Sequence, residues 1–170
     1  MRRLPADILI YERFQRMIKI MFVCHGNICR STMAESVFTE LVRQAGRSEE
    51  FVIDSAATST EEIGNPPHYG TVAKLRQMGI PLVPHRARQV RAKEYANWDL
   101  IIGMDSANMR NLRRIFEHEP TAQADDCAKL IKLLSLTGSD RDVADPWYTG
   151  NFDATYEDVL AGCKALLKQL

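Results

Sequence analysis

Within its 170 residues the chain has no apolar run long enough to cross a membrane, no excess of either charge sign, and no Cys/His cluster with zinc-ligand spacing. Each absence excludes something. A spanning helix needs about 20 predominantly apolar residues, and ahead of Met17 the longest apolar run is Ile8 to Tyr11, hemmed in by Asp7, Glu12, Arg13 and Arg16. That pattern is neither a transmembrane segment nor a secretory leader, so a cytoplasmic protein is expected. Lys and Arg together number 22, as do Asp and Glu, which leaves no basic footprint for nucleic acid. Cysteine is sparse too: Cys24, Cys29, Cys127 and Cys163 invite a two-disulfide reading, but without a leader they are expected to be reduced. Internal repeats and low-complexity segments are missing, and no metal or other cofactor is expected.

The length suits one domain with a proper core. Residues 1–16 carry four arginines against Asp7 and Glu12 and precede the first strand-like run; Met17 would make a sensible start. They are read as an N-terminal extension without function, in preference to a short amphipathic helix or a weak membrane-surface contact, and 17–170 as the domain.

The stretch that organises the chain is Val23-Cys24-His25-Gly26-Asn27-Ile28-Cys29-Arg30-Ser31-Thr32. Before it, Ile18 to Val23 is apolar and largely β-branched apart from Lys19, as for a strand buried on both faces. After it, Ser31 or Thr32 is placed to cap a helix with Met33, Val37, Phe38, Leu41 and Val42 on its apolar face and Glu35 in its first turn. A turn from strand to helix aims backbone N–H groups and a helix N-terminus at one spot, which makes an anion site. Cys24 opens that turn, where the oriented amides and the Arg30 guanidinium favour a thiolate nucleophile. Arg30 offers a planar fork to two phosphate oxygens. Gly26 allows close backbone approach, and Asn27 tolerates a left-handed conformation. The Ser31 hydroxyl can donate to the thiolate and ease its later departure.

Further strands are predicted over Phe51 to Ala56, Trp98 to Met104 and Lys129 to Leu134. Helices are predicted from His68 to Met78 with Val72, Leu75 and Met78 inward, from a cap at Asp105 or Ser106 with Met109, Leu112 and Ile115 inward, and from Asp153 or Ala154 to Leu170. The alternation implies an α/β fold in which a four-stranded parallel sheet is flanked by helices on both faces, with ligands at the carboxyl ends of its strands. Between the last strand and helix lies Asp142-Val143-Ala144-Asp145-Pro146-Trp147-Tyr148. A phenolic leaving group needs a proton donor opposite the thiolate, and Asp145 is the candidate, held extended by Pro146. Trp147 and Tyr148 offer flat surfaces on which an aromatic leaving group could stack.

Strand, V-C-H-G-N-I-C-R-S and capped helix together resemble the low-molecular-weight protein tyrosine phosphatases. The likeness continues through D-S-A-A at 54–57, H-R-A-R-Q-V at 85–90, M-D-S-A-N-M at 104–109 and D-P-W-Y at 145–148. The resemblance implies Cys24 as nucleophile, Arg30 as phosphate clamp and Asp145 as general acid and then base. It also implies a phosphocysteine intermediate, phosphotyrosine-containing proteins as substrates and inorganic phosphate as product, without a metal. His25, Gly26, Asn27, Ile28, Cys29, Ser31, Glu61, Trp147 and Tyr148 are then expected to bind substrate. The family suggests that Ser55 and His85 join Asn27 and Ser31 in supporting the loop, although a strand-end hydroxyl and a core histidine would look the same in sequence. Cys29 resembles the family's partner thiol, which traps the oxidised nucleophile as a reversible disulfide.

One position departs from the family pattern: Thr60-Glu61-Glu62 stands where many relatives place an aromatic residue on the cleft wall. Glu61 is therefore expected to disfavour acidic phosphopeptides. Three other readings remain. An arsenate reductase of the same fold would need a further cysteine pair near the middle of the chain, and 80–95 contains none. A protein-arginine phosphatase tends to carry threonine where Ile28 stands. A non-catalytic phosphate-binding module would not be expected to keep Cys24, Arg30 and Asp145 together.

Overall fold

The computed structural model describes residues 16–170; the predicted N-terminal extension lies outside the described residues except for Arg16. The central strand β1 (Ile18–Cys24) is buried from Ile20 onward. Its side chains alternate: Ile20, Phe22 and Cys24 enter one core, and Met21 and Val23 enter a second on the opposite face. That two-sided burial is why the strand reads as a continuous apolar run. Beside it lie β2 (Phe51–Ala57) and β3 (Leu100–Gly103), with β4 (Leu130–Lys132) outermost, in the order β2-β1-β3-β4 and parallel throughout. The expected four-stranded parallel sheet is thus what the chain forms.

On the first face sit α1 (Arg30–Gln44), α2 (Tyr69–Gln77) and the closing helix, which pack together and contribute Met33, Val37, Phe38, Leu75, Val159, Cys163 and Leu166. On the other sit α3 (Ser106–Phe116) and α4 (Pro120–Ala124), with a 3₁₀ segment over Ala92–Asn97; Tyr95, Leu112, Phe116 and Ala122 fill that core. A single turn, α5 (Pro146–Thr149), precedes the long α6 (Phe152–Gln169).

The differences from the sequence reading have local causes. Trp98 lies outside β3 because Asp99 pairs with the start of β1, its N–H donating to the Lys19 carbonyl at 2.9 Å and its Oδ2 accepting from the Lys19 N–H at 2.9 Å. The fourth strand stops at Lys132, where the chain tightens into a 3₁₀ segment over Leu133–Thr137 that Gly138 ends at φ +83°. Met78 is exposed, since α2 ends one residue before it. The chain runs from β1 to β2 on one side and then crosses to β3 on the other. The carboxyl ends of β1 and β3 therefore flank a switch point, where Val23 pairs with Gly103 and a crevice opens beyond them.

Candidate active site

Residues 25–29 carry the chain from the end of β1 into α1, and the turn closes around one sulfur. Asn27 adopts φ +59°, a left-handed conformation that asparagine accepts at modest cost. Its N–H thereby points at Cys24 Sγ, 3.3 Å away. The Ser31 hydroxyl lies 3.1 Å from the same sulfur, and Asn27 Nδ2 donates into Ser31 Oγ at 2.9 Å. That bond holds the Ser31 hydroxyl against the sulfur.

The expected cap is a correction. Helix α1 begins at Arg30, with Cys29 in the capping position and no side-chain cap. Ser31 is engaged with Cys24 and Asn27, while Thr32 Oγ1 donates to the Cys29 carbonyl at 3.1 Å. Asn27 and Ser31 are fully buried and do not border the cleft, so their contribution to substrate is loop geometry and not direct contact.

Beneath the loop a polar network holds Asn27 in place. Its Nδ2 donates to Ser55 Oγ at 2.9 Å, and Ser55 donates in turn to Glu35 Oε2 at 2.5 Å. Its Oδ1 accepts from the Arg88 N–H at 3.1 Å and from His85 Nε2 at 2.6 Å. That contact makes Nε2 the protonated nitrogen, because an amide oxygen only accepts. Ser55 and His85, expected from the resemblance to support the loop, both contact the Asn27 side chain. Glu35, assigned from sequence to the first turn, lies further along α1 and is buried in this network, 3.5 Å from His85 Nδ1. Burial pushes its carboxyl up to about 7, with Asp54 adding and the Ser55 hydroxyl opposing. Burial also holds His85 below the usual histidine range, against the pull of Asp54. Glu35, Asp54 and His85 bring ligand-type atoms within 4.8 Å of one another. The Arg88 guanidinium already donates to Asp54 at 2.8 Å and Ser55 to Glu35, so these groups serve a hydrogen-bonding network and not a cation.

Arg30 enters the cleft from the start of α1 with its side chain 2% exposed. Burial works against its charge; Cys24 and the carboxylates of Asp105 and Asp145 more than offset that and raise its affinity for the proton. Nη1 donates to Asp105 Oδ2 at 2.7 Å and to the Val143 carbonyl at 3.3 Å, and Nη2 donates to Asp145 Oδ2 at 3.0 Å. The sequence reading left this fork free for phosphate. Here both of its arms rest on carboxylates, one of them on the expected acid.

Asp145 is extended at φ −88° and ψ 109° and caps α5, its Oδ1 accepting from the Trp147 N–H at 3.1 Å. The cleft encloses about 410 Å³. Cys24, His25, Gly26, Ile28, Cys29 and Arg30 form its floor, with Glu61 and Glu62 on one lip and Asp145, Trp147 and Tyr148 on the other. Trp147 and Tyr148, expected to stack on an aromatic leaving group, are exposed at the cleft. Glu61 Oε2 lies 3.0 Å from His25 Nε2, which ties the acidic lip to the loop. A Cβ on Gly26 would sit 3.3 Å from Glu62 Cγ, so the lip closes tightly over the turn. Cys29 is buried beside Ile28 and Ala87, and burial, with Cys24 adding, pushes its thiol up to about 12.

Sequence reasoning missed Asp105, Glu35, Arg88 and Glu62. Asp105 had a usable signal: a carboxylate just past the end of the strand beside β1 lies at the switch point, next to the loop.

The sequence profile described as low molecular weight phosphotyrosine protein phosphatase matches residues 19–170. A low molecular weight protein-tyrosine-phosphatase of Bacillus subtilis, YfkJ, is 38% identical over 154 residues, covering 91% of this chain and 96% of its own. The low molecular weight phosphotyrosine protein phosphatase of Mus musculus is 40% identical, covering 88% and 94%. The crystal structure of YfkJ superposes with a TM-score of 0.82 over 90% of this chain and 94% of its own.

Proposed function

The chain belongs to the low molecular weight phosphotyrosine protein phosphatase family, and on that premise we propose how its own residues hydrolyse phosphotyrosine and small aryl phosphate monoesters. The observation that carries the proposal is that Cys24, Arg30 and Asp145 border one cleft, with the sulfur beneath the Asn27 amide and the Ser31 hydroxyl. The phosphate of the substrate replaces the Asp145 carboxylate on Arg30 while Asp105 keeps its hold on Nη1, and the loop amides and guanidinium hold the equatorial oxygens. The Cys24 thiolate attacks phosphorus, the bond to the tyrosyl oxygen breaks, and Asp145 gives that oxygen its proton. Water then attacks the phosphocysteine as the Asp145 carboxylate takes its proton; inorganic phosphate leaves and the Ser31 hydroxyl steadies the returning thiolate. Trp147 and Tyr148 stack against the aromatic leaving group. His25, Gly26, Ile28 and Cys29 shape the floor, and Glu61 screens what lies beside the phosphotyrosine.

Phosphoproteins are accordingly the substrates. Among the described residues no helix is long and apolar enough to cross a membrane, and the four free thiols suit a reducing compartment, which supports action in the cytoplasm. Acid-quenching Asp145→Asn during turnover and mapping the phosphorylated peptide tests the scheme. Phosphate on Cys24 is the expected result, and phosphate elsewhere would contradict it.

A further inference from the structure

We propose that Lys132 is a positioning residue for the proton donor: its ammonium fastens the loop that carries Asp145 to the turn that carries Asp105. The inference rests on the reading of Asp145 as general acid.

Lys132 is the last residue of β4 and is 9% exposed, an unusual place for a lysine with no part in a core. Its Nζ lies 3.1 Å from Asp142 Oδ1, 3.2 Å from Asp140 Oδ1 and 3.3 Å from Ser106 Oγ, and it also donates to the Asp140 carbonyl. Asp142 is shared. Its Oδ1 accepts from the Ser106 N–H at 3.0 Å and from the Ser106 hydroxyl at 3.1 Å. Ser106 is the residue after Asp105, and Asp142 stands three before Asp145, so one buried cation joins the roots of both carboxylates that meet Arg30. The rest of the acid loop is pinned around this junction. The Val143 N–H donates to the Met104 carbonyl at 2.9 Å, and Thr155 Oγ1 donates to the Ala144 carbonyl at 2.9 Å.

Removing the ammonium releases the fully exposed Asp140 and leaves the half-exposed Asp142 held by the Ser106 N–H and hydroxyl alone. The backbone from 140 to 145 is then free to shift by the fraction of an ångström that proton transfer does not tolerate. The fold has other ties at this loop, so the loss is expected in the chemistry before it is seen in stability.

A merely structural anchor and a positioning residue differ in leaving-group dependence. Tyrosine leaves as a phenol with a pKa of about 10 and needs the proton; dinitrophenol leaves readily without it. We would measure kcat/KM on phosphotyrosine and on 2,4-dinitrophenyl phosphate for the native chain, Asp145→Asn and Lys132→Met. Asp145→Asn should lose on the order of a hundredfold or more on phosphotyrosine and far less on the activated ester. Lys132→Met should show the same selectivity at smaller scale, about tenfold against less than threefold, with Lys132→Arg restoring most of it. Equal losses on both esters, or none, would overturn the proposal for Lys132 while leaving the phosphatase scheme intact. An unselective loss in Asp145→Asn would overturn the acid assignment and this proposal with it. Should Lys132→Met not fold, Asp142→Asn, which removes the charge and keeps the size, is judged by the same two outcomes.

Discussion

Arg30 Nη1 donates to Asp105 Oδ2 across 2.7 Å, and this contact joins the phosphate loop to the end of the neighbouring strand. Asp105 also caps α3, its Oδ1 accepting from the Asn108 N–H at 2.6 Å. The two duties separate cleanly: Asp105→Ser keeps a good cap and deletes the charge. We expect kcat/KM on an aryl phosphate to fall by about tenfold or more as the guanidinium loses its fixed orientation, with little change in the thermal midpoint. Unaltered kinetics would show that Asp105 serves the helix alone.

Glu61 stands with its carboxylate exposed on the cleft lip, paired with His25. Phosphotyrosyl peptides with acidic flanks should be hydrolysed several-fold more slowly than neutral ones at low salt, and the gap should narrow with ionic strength. Glu61→Ala should close it. Equal rates for both peptides in the native chain would refute a role for the lip.

Glu35 links the network to stability. Its carboxyl is pushed from the ordinary 4.5 up to about 7, mainly by burial. The folded state therefore holds this proton more tightly than the unfolded chain. The contribution is complete below about 4.5 and is lost as the pH rises through about 7. His85, lowered by burial, acts in the opposite sense and loses stability as the pH falls below its ordinary 6.5. Denaturant titrations of the native chain and Glu35→Gln at several pH values isolate the first effect. The stability of Glu35→Gln relative to native should grow from pH 5 to pH 8, by up to about 3 kcal/mol. A constant difference would place the carboxyl's titration outside this window.

Cys29, with its thiol pushed up to about 12, is protonated at neutral pH. If it traps an oxidised Cys24, the trapping depends on its small thiolate fraction and should quicken steeply between pH 6 and pH 9. After a brief peroxide pulse, the activity recovered by reductant should rise over that range in the native chain and not in Cys29→Ser. Matching recovery in the two would remove Cys29 from the redox chemistry.

Much of this was legible in the sequence because the organising stretch is local. Strand, turn, Cys24 and Arg30 lie within Ile18–Arg30, and the alternation of β1 side chains between two cores is written directly in its apolar run. The extended backbone at Asp145 was legible through Asp145-Pro146, where proline restricts the residue before it. What stayed hidden depends on long-range pairing. Glu35 looks like any acid near a helix start until Ser55 and His85, distant in sequence, close over it. Asp105 reads as a cap because the cap signal is local and the ion pair to Arg30 is not. Ser31 and Thr32 looked like caps for the same reason, and tertiary demand for the Ser31 hydroxyl at Cys24 overrode that preference.

A phosphocysteine mechanism run by Cys24 with Asp145 as acid stands or falls on hydrolysis of an aryl phosphate from pH 4 to 8 in the presence of EDTA. Reduced native protein is compared with Cys24→Ser. Activity should resist EDTA, be greatest on the acid side and vanish in the serine variant. No hydrolysis by the reduced native chain, or activity that persists in Cys24→Ser, would contradict it.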